Sequence, residues 1–464
     1  MRDAPGLPDP LLRELADLLG DGFRTDPGER IGYGYDNSRR EAMPDAVALP
    51  RDRTQVLALV RACRRHRVPV VARGRGTNTT GAAVPVAGGV VVSFERMDRI
   101  LDIRPGDRCA VVEPGVLNGD LQVALAAHGL FWPPDPTSAA FSTVGGNLAC
   151  NAGGPRAVKY GASRDNVLAL TAVTGAGELI TSGTATTKGS TGLDLHRLLV
   201  GSEGTLALVV EATLRLTPTA PARHALRAIY RDVSSAAQAV ARLMAQPVTP
   251  SMLEFMDAQA VRLARDVGGA DLPADAGALL MIEADGDPTQ LPRDIRALMH
   301  AATGDGLVSL DDAADEAARA GLWAARKALS PALRTLAPGK INEDVVVPVS
   351  RIPGLVDGVQ ALAREFDLPI VCFGHAGNGN LHVNLMFDPA DPAQSQRAQA
   401  ALARVFELAI SLGGTLSGEH GIGLAKRDFM PLAVDAATLA VMRQVKAVFD
   451  PDGILNPGKL LPPA

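Results

Sequence analysis

The stretch Phe373-Gly-His-Ala-Gly-Asn-Gly-Asn-Leu-His-Val-Asn-Leu385 carries two histidines, His375 and His382, on either side of a segment rich in glycine and asparagine. On one continuous strand, residues seven apart would face opposite sides of the sheet. The Gly-Asn-Gly-Asn segment, however, has the composition of a turn and can fold the chain back. The pattern therefore predicts that His375 ends one strand, that His382 begins the next, and that both rings can converge.

The second strand of this hairpin alternates between polar and apolar residues. His382 and Asn384 share one face, whereas Leu381, Val383 and Leu385 share the other. One face is therefore predicted to be a polar site, and the other to belong to the hydrophobic core. Taken alone, the hairpin leaves two interpretations open, a pair of convergent metal ligands or a turn that carries histidines without a shared role.

The composition is that of a globular protein with more than one domain. The chain has 464 residues, of which 47% are hydrophobic and 21% are charged, and this length favours two or three domains. A net charge of −5 without a basic block argues against a nucleic-acid partner. No apolar run approaches the roughly 18 residues of a transmembrane helix, and no signal peptide is evident. Because the four cysteines form no C-x-x-C pair, we expect reduced thiols in a cytoplasmic protein, with peripheral membrane association left open.

The first part of the chain alternates between predicted helices and strands. Helices are expected at Leu7 to Leu19 and, capped by Thr54, at Thr54 to Arg67; strands are expected at Ala46 to Pro50 and Val68 to Ala72. The last strand leads into the loop Arg73-Gly-Arg-Gly-Thr-Asn-Thr-Thr-Gly81. Glycines let backbone N–H groups approach a phosphate, and the Thr and Asn side chains add further donors. A tight turn without a ligand is the competing interpretation.

A second glycine-rich stretch runs from Pro133 to Gly154 and is dense in small and polar residues. We expect it to be too rich in glycine for a helix and to lie against a flat ligand. A third stretch, Gly201-Ser-Glu-Gly-Thr205, precedes a strand predicted at Leu208 to Leu216. In their order and spacing the three stretches resemble the FAD-binding domain of the vanillyl-alcohol oxidase and p-cresol methylhydroxylase (PCMH) superfamily.

The resemblance implies that the Arg73–Gly81 loop holds the FAD diphosphate and that the Pro133–Gly154 stretch lies along the isoalloxazine and ribityl chain. Some members attach the flavin through a histidine or a cysteine. The first loop has no histidine, and we expect Cys150 to be a buried packing residue, so the FAD is expected to be non-covalent. The implied cofactor-binding residues are Arg75, Gly76, Thr77, Asn78, Thr79, Thr80, Gly81, Pro134, Asp135, Thr137, Ser138, Thr143, Gly145, Gly146, Asn147, Asn151, Gly153, Gly154, Tyr160, Gly161, Glu203, Gly204, Val209 and Asn456.

From about Pro221 the composition changes, and strand-like segments alternate with amphipathic helices. This alternation predicts an α+β cap domain, an antiparallel sheet with helices on one face. The expected fold is α+β, with a PCMH-type FAD-binding domain at 1–220, a cap domain that binds substrate at 221–412, and a C-terminal helical segment at 413–464 that returns to the FAD domain.

The run Gly414-Thr-Leu-Ser-Gly-Glu-His-Gly-Ile-Gly423 places Glu419 and His420 on a loop between glycines. Glu419 joins His375 and His382 to make a set of two imidazoles and one carboxylate. Such a set suits zinc or manganese and leaves coordination positions open for substrate. A solvent-exposed Glu–His pair on a turn is the alternative.

The two histidine-bearing stretches closely resemble the paired motifs of the FAD-dependent D-2-hydroxy acid dehydrogenases, with their D-lactate, D-2-hydroxyglutarate and glycolate branches. The resemblance extends from about residue 40 to the end of the chain and includes Lys446 to Lys459. It implies that His375, His382 and Glu419 are metal ligands and that His420 is the catalytic base.

The cap is also expected to bind the substrate carboxylate. Family members have an arginine after a tryptophan, then a hydroxyl residue and a lysine, which fall here on Arg326, Ser330 and Lys340; a threonine is common at the place of Ser330. Arginine can bind a carboxylate in a bidentate way. Arg334 is a competing candidate, and surface cations without a ligand are the alternative. The expected substrate-binding residues are Arg326, Ser330, Lys340, Asn384 and His420.

The resemblance implies oxidation of a D-2-hydroxy acid to the 2-oxo acid. Arg326 and Lys340 would hold the carboxylate, the metal would lower the pKa of the hydroxyl, His420 would remove its proton, and the hydride would pass to FAD.

Because the chain has no cysteine cluster for an iron–sulfur centre, we expect a separate electron acceptor, which would be a quinone, a cytochrome, an electron-transfer flavoprotein or a partner subunit. A homodimer is one assembly considered. The pattern from Arg326 to Pro331 favours a D-lactate-type substrate, with D-2-hydroxyglutarate or glycolate as alternatives.

Two other classes of protein compete with this interpretation. One is a non-redox transferase, because the superfamily includes an ether-lipid synthase, but that branch carries adjacent histidines in its cap and this chain has none. The other is a flavin- or metal-binding protein without turnover. The presence of the Glu419–His420 pair beside Arg326 and Lys340 argues against that interpretation.

Overall fold

The computed structural model describes residues 6–313, 321, 323, 326, 329 and 331–463. The chain divides into two compact units. The first comprises Met1–Gly154, Gly161–Thr219 and Glu419–Ala464, and the second comprises Pro155–Tyr160 and Ala220–Gly418. No helix in the described part of the chain has the length and apolar character needed to cross a bilayer.

The first unit contains a small, mostly parallel sheet. Its strands are β1 (Phe23–Arg24), β2 (Ala46–Ala48), β3 (Val70–Arg73) and β4 (Val90–Ser93). Their order is β1-β2-β4-β3, with β2 and β3 parallel to β4 and β1 antiparallel to β2. β2 and β4 are buried along their whole length. Strands this apolar are typical of a sheet that is covered on both faces.

A second, antiparallel sheet completes the first unit. Its strands are β5 (Ile100–Arg104), β6 (Cys109–Val112), β8 (Val167–Thr174), β9 (Leu179–Gly183) and β10 (Ala207–Arg215). They lie in the order β5-β6-β10-β8-β9. A separate antiparallel pair is formed by β7 (Leu130–Phe131) and β11 (Thr217–Pro218).

The helices of the first unit lie before, between and after these strands. They are α1 (Asp9–Leu19), α2 (Pro27–Arg30), α3 (Arg53–Arg65), α4 (Asn118–Ala126), α5 (Val144–Cys150), α7 (Leu195–Leu199), α13 (Met430–Ala433) and α14 (Ala436–Phe449). The predicted cap of α3 was wrong by two residues. Asp52, not Thr54, is the N-cap, because its Oδ1 accepts hydrogen bonds from the backbone N–H groups of Thr54 (2.8 Å) and Gln55 (2.9 Å).

Helix α5 overturns the expectation that Pro133 to Gly154 contains no helix. Thr143 caps α5 by accepting a hydrogen bond from the Gly146 N–H at 3.1 Å. A Cβ added to Gly145 would lie 2.6 Å from Cβ of Pro114. Close packing against Pro114 therefore requires a residue without a side chain at position 145. The Thr143 cap offsets the low helix propensity of the glycines.

The second unit is built on a seven-stranded sheet. Its strands are β12 (Ala222–Tyr230), β13 (Met252–Met256), β14 (Ala278–Gly286), β15 (Leu307–Ala313), β16 (Gly339–Val346), β17 (Ile370–His375) and β18 (Asn380–Phe387). They lie in the order β15-β12-β14-β13-β17-β18-β16, and all neighbours are antiparallel. The predicted antiparallel sheet is therefore present.

Helices cover both faces of this sheet, not one face as expected. They are α6 (Ala157–Tyr160), α8 (Val233–Ala245), α9 (Ala258–Asp266), α10 (Leu291–Ala302), α11 (Ile352–Glu365) and α12 (Pro392–Ser411). Tyr230 donates to the Ala302 carbonyl of α10, whereas its neighbour Ile229, which points to the other face, packs in a cluster with α9. The face that meets α9 carries Met256, Met281 and Phe373 and becomes polar toward His375.

Candidate active site

The two histidines of the opening stretch lie on neighbouring strands, as predicted. His375 is the last residue of β17, a turn spans Ala376–Asn378, and β18 begins at Asn380. Gly379 closes the turn with φ +75°, and a Cβ there would lie 1.9 Å from the Val347 carbonyl oxygen. The ring centroids of His375 and His382 are 5.1 Å apart. The hairpin therefore brings the two imidazoles together.

Glu419 supplies a third possible ligand. One ligand atom each from His375, His382 and Glu419 lies within 4.8 Å of the others. Two imidazole nitrogens and a carboxylate oxygen at this spacing fit a borderline divalent cation and leave coordination positions for a substrate. These residues could therefore hold the metal that the sequence predicted.

Asp344 holds the chain immediately before Glu419. It lies directly opposite His382 on β16 and is fully buried. Its carboxylate accepts hydrogen bonds from the Ser417 hydroxyl at 3.0 Å and from the Gly418 N–H at 2.8 Å. Gly418 has no room for a side chain, because a Cβ would lie 2.5 Å from Nδ2 of Asn380. Sequence reasoning missed Asp344, whose only local signal is the buried acidic pair Glu343–Asp344 within a strand that is otherwise partly buried.

Glu254 is the second buried carboxylate that sequence reasoning missed. It stands opposite His375 on β13 and is fully buried. Its Oε1 lies 2.5 Å from Nδ1 of His375, and its Oε2 accepts a hydrogen bond from Nε of Arg326 at 3.0 Å. Burial opposes ionisation, but the charges of His375 and Arg326 outweigh it and lower the pKa of Glu254 to about 2. A single acid within the apolar run Met252–Met256 was the available signal.

Arg326 lies beside this carboxylate in a largely buried position. Its side chain is 13% exposed, and its guanidinium carbon is 4.4 Å from the ring centroid of Phe373. Because Nε is engaged with Glu254, the terminal Nη atoms are the part of the fork that can face a substrate. Arg334, the competing candidate, is exposed in a short turn. Ser330 lies outside the described residues.

Two further predicted substrate residues lie on the polar face of the same sheet. Lys340 is half-buried on β16, two strand positions from Asn342. Asn384 stands opposite Asn342 and is fully buried. Its Nδ2 donates to the carbonyl groups of Val371 and His382, and its Oδ1 has no hydrogen-bond partner among the described residues. That open acceptor is compatible with a bound hydroxyl or water.

The Arg73–Gly81 loop borders a cavity of about 680 Å³ within the first unit. Gly76 has φ +66°, and a Cβ there would lie 2.4 Å from a terminal nitrogen of Arg73; a Cβ on Gly74 would lie 2.4 Å from Oγ1 of Thr143. Such a cradle, which side chains would fill, fits the approach of a phosphate group to the backbone. The residues around the cavity are Gly32, Tyr33, Tyr35, Asp36, Asn37, Arg73, Gly74, Arg75, Gly76, Thr77, Ser93, Glu95, Ser138 and Phe141.

Asn78 and Glu203, both predicted to bind the cofactor, hold the loop that carries the predicted base. Asn78 Nδ2 donates to the His420 carbonyl oxygen at 2.9 Å. The Glu203 carboxylate accepts hydrogen bonds from the N–H groups of Ile422 (2.6 Å) and Gly423 (2.8 Å). Burial raises the pKa of Glu203 to about 7. The backbone around His420 is thus fixed from both sides.

The remaining predicted cofactor residues divide between the two units. Tyr160 belongs to the second unit, where its hydroxyl donates to the carboxylate of Asp285. Asn456 Nδ2 donates to the carbonyls of Ala82 and Glu203. The others lie in the first unit: Thr79, Thr80, Gly81, Pro134, Asp135, Thr137, Asn147, Asn151, Gly153, Gly154, Gly161, Gly204 and Val209.

The fold and these motifs define an FAD-linked oxidoreductase. Residues 44–183 match the family model of an FAD binding domain, and residues 219–460 match that of the FAD linked oxidases, C-terminal domain. The chain therefore belongs to the FAD-linked oxidase family, and the predicted FAD cofactor agrees with this membership.

Relatives in sequence and in structure support this family membership. The chain is 40% identical to the glycolate oxidase subunit GlcD of Bacillus subtilis (strain 168), over 93% of this chain and 92% of that protein. It is 34% identical to a D-lactate dehydrogenase of Anaerostipes hadrus, over 96% and 94%. A crystal structure of p-cresol methylhydroxylase superposes with a TM-score of 0.80 at 15% identity, over 97% and 96%. That similarity shows the fold alone, and it confirms the predicted PCMH-type architecture.

Proposed function

We propose that the protein oxidises a small D-2-hydroxy acid of the D-lactate type to the corresponding 2-oxo acid, with FAD as its redox cofactor and with a divalent cation at His375, His382 and Glu419. The observation that carries the proposal is the convergence of these three ligand atoms within 4.8 Å in a chain that belongs to the FAD-linked oxidase family. The cation would be zinc or manganese, the metals that this donor set suits.

The divalent cation and FAD would supply the two parts of the chemistry that side chains cannot. When bound, the cation is a Lewis acid that lowers the pKa of a neighbouring hydroxyl, and FAD is the two-electron acceptor. The protein's own residues bind and orient the acid. Arg326, through its Nη atoms, and Lys340 would hold the carboxylate, and the open Oδ1 of Asn384 offers an acceptor on the same sheet face.

His420 would act as the general base for the substrate hydroxyl. It follows Glu419 directly in sequence, and its backbone is held by Asn78. A proton removed from the hydroxyl would reside on the imidazole. Electrons would then leave for a separate acceptor, a quinone, a cytochrome, an electron-transfer flavoprotein or a partner subunit, because the sequence has no cysteine cluster of the kind that holds an iron–sulfur centre.

Glycolate oxidation is the second candidate. It is favoured by the 40% identity to a protein named as a glycolate oxidase subunit. D-2-Hydroxyglutarate, a third candidate, needs two carboxylate anchors, and Arg326 and Lys340 together are compatible with that need as well as with a monocarboxylate.

The test has a spectroscopic and a kinetic part. Oxidised flavin should bleach under anaerobic conditions with D-lactate and not with L-lactate. With an artificial acceptor, kcat/KM is compared for D-lactate, glycolate, D-malate and D-2-hydroxyglutarate, before and after removal of metal by a chelator. Failure of every acid to bleach the metal-loaded protein would contradict the proposal.

A variant pair tests the metal ligands directly. His375→Ala should lose bound metal and activity together. The matched control is His224→Asn, because His224 pairs with Asp312 on the strand pair β12–β15, at the other edge of the sheet. Undiminished activity of metal-free protein, or full metal content in His375→Ala, would rule out the assigned ligands.

A further inference from the structure

Glu254 hydrogen bonds with two residues, and these have different roles in the proposed reaction. Its Oε1 faces Nδ1 of His375 at 2.5 Å, and its Oε2 accepts from Nε of Arg326 at 3.0 Å. The three side chains are 1%, 6% and 13% exposed, respectively. We propose that Glu254 is a positioning residue that orients His375 as a metal ligand and Arg326 as the carboxylate anchor through one buried carboxylate. This inference rests on the proposed function and adds a role that the metal-ligand and substrate motifs do not contain.

The hydrogen bond to Glu254 fixes the tautomer of His375. A carboxylate can only accept hydrogen bonds, so the proton between Glu254 and His375 belongs to Nδ1 of the imidazole. As a metal ligand, the imidazole is neutral, with its proton on Nδ1 and its lone pair on Nε2. Nε2 is then the ligand atom, and a carboxylate on the other ring nitrogen increases its basicity. The strand register opposes Glu254 to His375 on neighbouring strands, so the ring is held by the sheet and not by a loop.

Two contacts restrict the side chain of Arg326. Its guanidinium lies over the Phe373 ring, with its carbon 4.4 Å from the centroid, while Nε is bonded to Glu254. Both contacts restrict rotation of the side chain and leave the Nη edge for a ligand. Because Phe373 lies two residues before His375 on β17, the arginine and the histidine are fixed to the same strand as well as to the same carboxylate. A displacement of Glu254 would therefore move both.

The experiment compares Glu254→Gln, Glu254→Asp and Glu283→Gln in the full-length, FAD-loaded protein after removal of metal by a chelator. Glutamine has nearly the shape of glutamate but cannot accept from both His375 and Arg326, since one of its termini is a donor. Aspartate keeps the charge and withdraws it by one methylene. Glu283 is a matched control, a buried carboxyl on the neighbouring strand β14 that stands opposite Met252 and hydrogen bonds with Trp323.

The first readout is binding of Co²⁺, followed by its visible absorption. Glu254→Gln should weaken Co²⁺ binding by about 10- to 100-fold and change the absorption spectrum. Glu254→Asp should lie between Glu254→Gln and the wild type, and Glu283→Gln should match the wild type. The second readout is KM for D-lactate at saturating Co²⁺, which should remain raised in Glu254→Gln because the position of Arg326 is not restored by metal.

Two outcomes would overturn the inference. The first is a Glu254→Gln variant that retains FAD and its far-ultraviolet circular dichroism spectrum but binds Co²⁺ as tightly as the wild type. The second is a loss of Co²⁺ affinity in Glu283→Gln equal to that in Glu254→Gln. Where Glu254→Gln does not fold, wild-type Co²⁺ affinity in Glu254→Asp is decisive in the same way. His375→Ala separates the two proposals. Wild-type Co²⁺ binding in that variant contradicts the metal site itself, whereas its loss there and retention in Glu254→Gln contradicts only the role of Glu254.

Discussion

The side-chain amide of Asn78 donates a hydrogen bond to the backbone carbonyl oxygen of His420, with 2.9 Å between the two heavy atoms. The two residues are 342 positions apart in sequence, and they carry different predicted tasks, cofactor binding for Asn78 and base catalysis for His420. The other end of the Asn78 amide accepts from the N–H and the hydroxyl of Thr80, each at 2.8 Å. One side chain therefore shapes the phosphate loop and holds the backbone of the proposed base.

Asn78→Asp should separate these two contributions. The aspartate retains an acceptor for Thr80 but loses the donor to His420 and places a second oxygen against that carbonyl. We expect a loss of about 1–3 kcal/mol in the free energy of unfolding, as for a buried polar group left without a partner, and a fall in kcat. Chemical unfolding and steady-state kinetics at matched FAD content measure the two effects. Wild-type values for both would contradict a role for this hydrogen bond.

Glu203 should make stability depend on pH. Burial raises the pKa of this carboxyl to about 7 in the folded protein, from an ordinary value of 4.5. The folded state therefore binds the proton more tightly than the unfolded state, so the contribution to stability is complete below pH 4.5 and is lost as pH rises to about 7. Relative to Glu203→Gln, the wild type should lose on the order of 3 kcal/mol across this window and little more above it.

Chemical unfolding of both proteins at intervals from pH 4.5 to 8 measures this difference. The points near pH 8 are the internal control, because Glu203 is largely ionised there in both states and the two curves should approach parallel. A constant difference between the proteins over the whole range would show that the pKa of Glu203 is not raised by folding.

Arg326→Lys should impair substrate binding although it keeps the charge. Lysine cannot both bond to Glu254 and present a planar fork to a carboxylate. The loss of one charge-assisted hydrogen bond, about 1.5–3 kcal/mol, corresponds to a rise in KM for D-lactate of about 10- to 100-fold. Arg334→Lys, a change of the same type at the exposed competing position, is the control and should leave KM unchanged. Equal effects of the two substitutions would remove the distinction between Arg326 and Arg334.

The flavin should be released intact when the protein is denatured. Cys150 is the cysteine of the Pro133–Gly154 stretch, and burial raises the pKa of its thiol to about 12. Cys150 is only partly buried in the structure, not fully buried as expected. The thiolate is the nucleophilic form, so a thiol with a raised pKa is poorly suited to bond to a flavin. Acid precipitation should leave all yellow colour in the supernatant, and Cys150→Ala should keep its FAD content. Flavin that remains with the precipitated chain would contradict non-covalent binding.

Predictions based on local sequence agree with the structure at the central hairpin. The turn composition and the alternation of polar and apolar residues placed His375 at the end of β17 and His382 near the start of β18. Both signals act within a few residues of one another, through turn conformation and the two-residue period of a strand. They do not need knowledge of any distant contact.

Local rules failed where packing overrides intrinsic propensity. The glycines at 145 and 146 argued against helix α5, but the Thr143 cap and the close approach of Pro114 to Gly145 stabilise it. The same limit applies to α9, whose apolar stripe indicates a buried face but does not say which face of the sheet it covers.

By itself, the sequence determined the glycine-rich stretches, the histidine hairpin and the Glu419–His420 loop, because each depends on short-range composition and spacing. The resemblance of these motifs to a known family then supplied the class of fold and the FAD cofactor. Only the tertiary structure decided how those residues are held. Glu254 reaches His375 across 121 residues, and Asp344 reaches Gly418 across 74. Strand pairing creates these contacts, and no local pattern specifies which strand becomes a neighbour. A buried carboxylate is stable only beside its donors, so the partners of Glu254 and Asp344 became identifiable when the sheet brought them together.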